Sequence, residues 1–311
     1  MPAMRETVLI NEVGARDGLQ NQPVHVSCDD KLRLIEALAA AGVRTIEATS
    51  FVSPKAVPQV ADADQLFPRL PHADRITYSA LVPNRRGLER ARAAGVKEIA
   101  VVLSATDTMN QRNINMSLDE ARAVSADTVR AAVADGVRAK AYVAVAFECP
   151  FEGVVAPARV LALSESMFAA GAQEVVIADT IGAAAPTAVM RLLRECVAQF
   201  GAARLSAHFH DTRAMAMANA WAALGEGIRK FDASVGGLGG CPFAPGAAGN
   251  AATEDLVVMF EQCGYDTGID LERLRQAVAL AGTLTGRAVG GRMTPWLRAQ
   301  EEKRARQVRT V

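Results

Sequence analysis

The sequence predicts an α/β fold, a closed (β/α)8 TIM barrel with additional C-terminal helices, and three observations carry that prediction. Eight short β-rich runs alternate with Ala-, Leu- and Arg-rich stretches of helical length, the pattern from which parallel sheets are built. Several helical stretches end in Gly (Gly42, Gly95, Gly136, Gly171 and Gly201), and each stop is followed within a few residues by the next β-rich run. After the first run, Gly14-Ala15-Arg16-Asp17-Gly18 does not fit the Gly-x-Gly-x-x-Gly turn that an open dinucleotide-binding sheet would want.

The predicted strands fall at 8–13, 45–51, 76–82, 98–103, 139–146, 174–178, 205–210 and 230–235. Helices are predicted between them, among others at 30–41, 117–134, 158–170, 186–200, 215–225 and 253–262. Beyond the eighth unit, 271–285 reads as an amphipathic helix and 295–308 as a charged terminal one, both too short for a second domain. No linker or low-complexity tract interrupts the pattern, so one domain is expected over 1–311, with the barrel at about 6–265 and a helical extension at 266–311.

The 311 residues are 50% hydrophobic and 22% charged, enough for a large core. Basic and acidic residues balance at 34 each, so no overall field favours nucleic acid or a membrane surface, and a polyanionic substrate needs a local basic site. The first β-rich run begins too early for a cleavable signal, and no apolar run approaches membrane-spanning length, so a soluble cytoplasmic protein is expected. Five widely spaced cysteines (Cys28, Cys149, Cys196, Cys241 and Cys263) resemble neither a disulfide framework nor a structural zinc pattern. The basic tail 303–309 reads as a solvated helix end.

In such a barrel, chemistry gathers at the C-terminal ends of the strands. The seventh strand ends in His208-Phe209-His210, and alternate side chains on a strand share a face, so both imidazoles point the same way. Such a pair is a half-site for a divalent metal or two hydrogen-bonded core histidines. Asp17 at the end of the first strand adds a carboxylate oxygen, and Asn250 can add an amide oxygen; singly, they are a turn residue and a helix cap. Mixed oxygen and nitrogen ligands without thiolate suit Mg²⁺ or Mn²⁺, with zinc less favoured.

Arg16, beside Asp17, is a fixed cation for a developing oxyanion or a salt-bridge partner of Asp17 or Glu47. Glu47 sits within an apolar strand, where an unpaired charge is costly, so it pairs with Arg16 or serves as a base; the pairing is favoured. Cys241 lies among Gly236, Gly237, Gly239, Gly240, Gly246 and Gly249, a density that suits a mobile lid. Its thiol either exchanges a proton with a carbanion or enolate, or is a small apolar filler.

From about Asn11 to about Phe260 the chain resembles the 3-hydroxy-3-methylglutaryl-CoA lyases of the Asp-Arg-Glu TIM-barrel metallolyase superfamily. The resemblance rests on Glu12-Val13-Gly14-Ala15-Arg16-Asp17-Gly18-Leu19-Gln20-Asn21, Glu47-Ala48-Thr49-Ser50-Phe51-Val52-Ser53-Pro54-Lys55 and Asp179-Thr180-Ile181-Gly182. It continues in His208-Phe209-His210-Asp211-Thr212 and Gly237-Leu238-Gly239-Gly240-Cys241-Pro242-Phe243.

The resemblance implies that Asp17, His208, His210 and Asn250 hold Mg²⁺ or Mn²⁺ and that Arg16 stabilises an enolate. It implies catalytic roles for Glu47, Asp179 and the lid thiol of Cys241, and substrate contacts at Gln20, Ser50 and Thr180; Arg213, which departs from the family's pattern, is a further substrate contact or a surface residue on the helix after the seventh strand. The implied reaction is retro-Claisen cleavage of a 3-hydroxyacyl-CoA to acetyl-CoA and, for the usual substrate, acetoacetate, by a homodimeric enzyme of leucine degradation.

The chain departs from the family's pattern in three places. Val176-Ile177-Ala178 precedes the Asp-Thr-Ile-Gly motif where the family commonly has Gly and, further upstream, a small polar residue. Arg213-Ala214 stands where the family has Tyr-Gly, and Gly286-Arg287-Ala288 lacks an expected Asn and Lys. These changes suit an acyl pocket reshaped for a related acid, such as a branched 3-hydroxyglutaryl-CoA or citramalyl-CoA. Two rival functions are an acetyl-CoA-condensing transferase of the isopropylmalate synthase type and a metal-binding barrel without catalysis. The first usually carries a substantial C-terminal regulatory region, and the second has no need of Arg16, Glu47 and Cys241.

Overall fold

The computed structural model describes residues 5–72, 74–240 and 249–309. Eight parallel strands close into a barrel: β1 (Leu9–Glu12), β2 (Thr45–Ser50), β3 (Thr77–Leu81), β4 (Glu98–Ser104), β5 (Arg138–Ala144), β6 (Glu174–Asp179), β7 (Leu205–Phe209) and β8 (Lys230–Ala233). Each pairs with its sequence neighbours, and β8 returns to β1 with Leu9 opposite Lys230 and Glu12 opposite Ala233. Every strand lies within two residues of its predicted run.

The strands alternate strictly between two environments. Ile99, Val101 and Leu103 of β4, Ala141 and Val143 of β5, Val175 and Ile177 of β6, and Ala207 and Phe209 of β7 belong to the large core shared with the helices. Between them, Ala100, Tyr142 and Val176 join Leu81 and Val102 in a small separate cluster inside the barrel. His208 takes the inward phase of β7 for the same reason.

Helices Cys28–Ala40, Arg85–Ala93, Leu118–Ala134, Pro157–Ala169, Pro186–Phe200, Ala216–Gly225 and Thr253–Gln262 follow successive strands. Their starts obey capping chemistry: the Ser27 hydroxyl accepts from the Asp30 N–H at 3.2 Å, and Ser117 and Glu120 form a reciprocal capping box. The predicted helix-stopping glycines adopt the left-handed backbone, Gly42 at φ 100° and Gly201 at φ 81°. The sequence pattern does not announce two features, because they are short or mostly polar: Asp107–Ile114 and a two-stranded ribbon of Glu148–Cys149 with Gly153–Val154.

The closing seam of the barrel is held by a buried carboxylate. Glu12 Oε1 accepts from the backbone N–H of Gly14 and of Val235, each at 2.8 Å, and Oε2 accepts from the Thr253 hydroxyl at 2.5 Å. Beyond the barrel, helix Leu271–Thr285 lies against Cys28–Ala40. The lead-in to the terminal helix Met293–Arg309 is pinned by Glu254, which accepts from Gly291 N–H at 2.6 Å, and by Asp255, which accepts from Arg292 and Met293 N–H at 2.7 and 2.9 Å. Among the described residues no helix is long and apolar enough to cross a membrane, and Cys28, Cys149, Cys196 and Cys263 form no disulfide.

Burial raises the Glu12 carboxyl from its ordinary 4.5 to about 7, so the folded chain retains a proton that the unfolded chain has already released. Stability drawn from this difference is complete at low pH and falls as pH rises from about 4.5 to about 7. Glu12→Gln keeps an acceptor for Gly14 and Val235 but cannot ionise. In urea melts the variant is expected to match the native protein near pH 5 and to exceed it near pH 8 by about 1–3 kcal/mol. A parallel loss at both pH values would show that Glu12 is ionised in the fold.

Candidate functional site

β1 runs into a five-residue π-helical turn, Gly14–Gly18, in which the Val13 carbonyl accepts from the backbone N–H of Arg16, Asp17 and Gly18. Glycine brackets the turn because it is pressed against the seam: a Cβ on Gly14 would lie 2.5 Å from Glu12 Oε1, and one on Gly18 2.8 Å from Ser234 Oγ. The turn brings Arg16 and Asp17 to the wall of a cavity of about 170 Å³ at the C-terminal mouth of the barrel.

His208 and His210 line the same cavity, their ring centroids 5.1 Å apart. One ligand atom each from Asp17, His208 and His210 lies within 4.8 Å of the others, and among the described residues no other group of His, Cys, Asp and Glu is so arranged. Asn250 Nδ2 donates to Asp17 Oδ2 at 2.8 Å and to the Leu238 carbonyl at 3.0 Å, while its Oδ1 is buried without a partner. His210 Nδ1 is likewise buried and unpartnered. Each such orphan costs about 1–3 kcal/mol, a cost that a ligated cation removes. Oxygen and nitrogen donors with unpaired acceptor atoms therefore fit a divalent ion.

His208 is oriented from behind. Its Nδ1 lies 3.0 Å from Asp232 Oδ2 on β8, and Asp232 also accepts from Tyr142 Oη on β5 and Asn11 Nδ2 on β1, each at 2.7 Å. Burial opposes ionisation of Asp232, yet the bond to His208, the nearby Lys140 charge and Asn11 hold its carboxyl below the ordinary range. An ionised Asp232 keeps the His208 proton on Nδ1 and leaves the Nε2 lone pair for a ligand. Burial and the neighbouring His208 push His210 down to about 3, so it is a neutral imidazole. For Asp17, burial is outweighed by Arg16, His208, His210 and Asn250, and its carboxyl stays below the ordinary range.

Arg16 Nε donates to Glu47 Oε1 and Nη1 to Asp17 Oδ1, the latter at 2.7 Å. One guanidinium shared by two carboxylates leaves a surplus negative charge beside the histidines, a further reason for a cation to settle there. Among the described residues Arg16 Nη2 has no partner. Glu47 thus takes the pairing alternative, with Oε2 buried and unpartnered.

Gln20 and Thr180 line the cavity, Gln20 with a buried, unpartnered Oε1 and Thr180 with its hydroxyl accepting from Val145 N–H at 2.9 Å. The structure does not bring Ser50, Asp179 or Arg213 to the cavity wall. Ser50 is buried at the end of β2. Both carboxylate oxygens of Asp179 are taken by the loop that follows it, accepting from Ala183 and Ala184 N–H at 2.9 and 3.0 Å. Arg213 is exposed and donates to the Ala183 carbonyl at 3.2 Å and to Glu148 Oε1 at 3.4 Å, tying together the loops after β5, β6 and β7. Of the unusual residues before Asp179, Ala178 lines the cavity and Val176 packs in the barrel interior. Cys241 and Gly246 lie outside the described residues.

The sequence reading missed Asn11, Tyr142 and Asp232. Their signal is a polar residue at an inward position of an apolar strand, which demands partners that only the closed barrel identifies.

Residues 7–280 match the family model described as HMGL-like. Over 271 residues the chain is 45% identical to the hydroxymethylglutaryl-CoA lyase of Pseudomonas mevalonii, covering 87% of this chain and 90% of that one. It is 40% identical over 293 residues to the 3-hydroxy-3-isohexenylglutaryl-CoA/hydroxymethylglutaryl-CoA lyase of Pseudomonas aeruginosa, covering 94% and 98% of the two chains. The crystal structure of the Bacillus subtilis HMG-CoA lyase superposes with a TM-score of 0.91 at 42% identity, covering 94% of this chain and 98% of that one.

Two outcomes follow from this geometry. Asp232→Asn removes the charge that holds the His208 tautomer, so calorimetric titration of the metal-free protein with Mn²⁺ should show affinity lowered roughly 10- to 100-fold; an unchanged affinity would detach Asp232 from the metal-binding set. Ala214 sits at φ 56°, in the left-handed region, at the position where the resembling pattern has Gly. Ala214→Gly should therefore raise stability by up to about 1 kcal/mol, read as a higher urea midpoint at unchanged slope.

Proposed function

Because this chain belongs to the HMGL-like family, we propose that it is a divalent-metal-dependent carbon–carbon lyase that cleaves 3-hydroxy-3-methylglutaryl-CoA to acetyl-CoA and acetoacetate. The observation that supports this reading best is the Asp17–His208–His210 cluster sharing one cavity with a fixed arginine. In this reading Asp17, His208, His210 and the Oδ1 of Asn250 hold Mg²⁺ or Mn²⁺. A bound divalent ion polarises substrate oxygens and lowers the pKa of a hydroxyl.

Asp179, the base in this reading, takes the C3 hydroxyl proton, the C2–C3 bond breaks, and its electron pair passes to the enolate of the acetyl thioester. Arg16 meets the oxygen on which that charge gathers. Its Nε and Nη1 are anchored by Glu47 and Asp17, so Nη2 is presented without reorganisation. Glu47 is a positioning residue, acting through Arg16. Gln20 offers an acceptor to the substrate from the cavity wall. Cys241, next after the Gly236–Gly240 run, is assigned the proton that returns to the enolate carbon. Arg213 ties the loops of the mouth together. The same reading carries a homodimer acting on an acyl-CoA thioester.

The test is a coupled assay for acetyl-CoA release from 3-hydroxy-3-methylglutaryl-CoA with Mg²⁺ or Mn²⁺ supplied. Turnover should vanish with EDTA, return with the metal, and fall by roughly 100- to 1,000-fold in kcat for Arg16→Ala. Unchanged turnover in Arg16→Ala would remove the enolate role. Absence of cleavage across a panel of 3-hydroxyacyl-CoA thioesters would sink the lyase reading.

A further inference from the structure

We infer that Val145 is a positioning residue: its strained peptide N–H holds the Thr180 hydroxyl so that the hydroxyl proton faces the barrel-mouth cavity and meets an acceptor oxygen of the acyl group. The inference rests on the lyase reading above and deepens it with a residue whose own side chain never reaches the site.

Val145 follows the last residue of β5, Ala144, and carries φ 49°, in the left-handed region. A β-branched side chain is crowded there, whereas Asn115, the C-cap of helix Asp107–Ile114 at φ 54°, is of a type that tolerates it. Such strain persists only where the surroundings fix it. Here they act from both sides: the Ala144 carbonyl accepts from the N–H of Ala105, just past β4, at 2.8 Å, and Ala146 N–H donates to the Ala178 carbonyl of β6 at 3.0 Å. The Val145 side chain is fully buried in the core shared with the helices, so the residue has no room to relax.

The last pair of the β5–β6 ladder is Val143 with Ile177, and beyond it the left-handed turn sends the Val145 N–H to Thr180 Oγ1 at 2.9 Å. A hydroxyl oxygen that accepts from an amide keeps one proton to donate, directed away from that amide. Among the described residues the Thr180 hydroxyl has no other hydrogen-bond partner, and Thr180 lines the cavity together with Arg16, His208 and His210. It therefore enters the cavity as a donor, complementary to a carboxylate or thioester oxygen and mismatched to a donating group. Without the Val145 N–H the hydroxyl would rotate and offer donor and acceptor alike.

The test removes this one N–H by replacing Val145 with its α-hydroxy acid, an amide-to-ester exchange that keeps the side chain. It is read as kcat and KM for 3-hydroxy-3-methylglutaryl-CoA with Mn²⁺ supplied, alone and combined with Thr180→Val. The ester should lower kcat/KM roughly ten-fold and Thr180→Val roughly 10- to 100-fold. Once the hydroxyl is gone the ester should add no further loss, because the two act as one unit. Thr180→Ser, which keeps the hydroxyl, should restore most of the turnover. An ester with native kinetics, or one whose loss is undiminished beside Thr180→Val, would overturn the inference and leave the lyase reading standing. If the ester protein fails to fold, Val145→Gly supplies the second arm: glycine is free to leave this conformation, so it should lower kcat/KM beside Thr180 but not beside Thr180→Val. An equal loss in both backgrounds would likewise overturn the inference. Absence of cleavage by the native protein would instead remove the lyase reading, and the inference with it.

Discussion

A single buried carboxylate, Asp232, organises the interior of this barrel. Taking it out of water is expensive, and its three donors, Asn11, Tyr142 and His208, come from β1, β5 and β7. A strand shifted by one residue would turn its donor to the outer face and strand the charge, so the hub specifies register around the barrel. The bond that satisfies Asp232 also fixes the tautomer of His208. Structural order and ligand geometry therefore have one cause.

Much of this was legible in the chain. β-rich runs set between helical stretches placed all eight strands; which residues point inward was less legible, because Val175 and Ile177 pack outward while the equally apolar Val176 points in. His208, His210 and Asp17 could be grouped because strand ends converge in such a barrel, and the pairing of Arg16 with Glu47 followed from the cost of a lone charge in an apolar strand. Asp232 escaped because a polar residue in a strand announces only that it needs partners, and Asn11 lies 221 residues away from it. Arg213 takes the surface alternative: its exposed side chain is met by Ala183 and Glu148. Asp179 was legible as an acid at a strand end, and the two backbone amides that bind its oxygens fix where it points.

Charge is unevenly placed in the mouth, and this shapes what can enter. Arg16 is outnumbered by Glu47 and Asp17, Asn250 bonds to one of these carboxylates, and the opposite wall mixes Leu81, Val102 and Ala144 with the uncharged Ser104 and Asn113. In the lyase reading, a cation at Asp17, His208 and His210 offsets this surplus on the polar side, where an anionic acyl group would otherwise be repelled.

The contact between Asp17 and Asn250 spans 233 residues of chain. During synthesis the first of these residues emerges long before the second, and β1 has no neighbour on its β8 side until nearly the whole barrel has been made. A partly made chain therefore lacks part of the Asp17–His208–His210 cluster, which is complete only once the barrel can close.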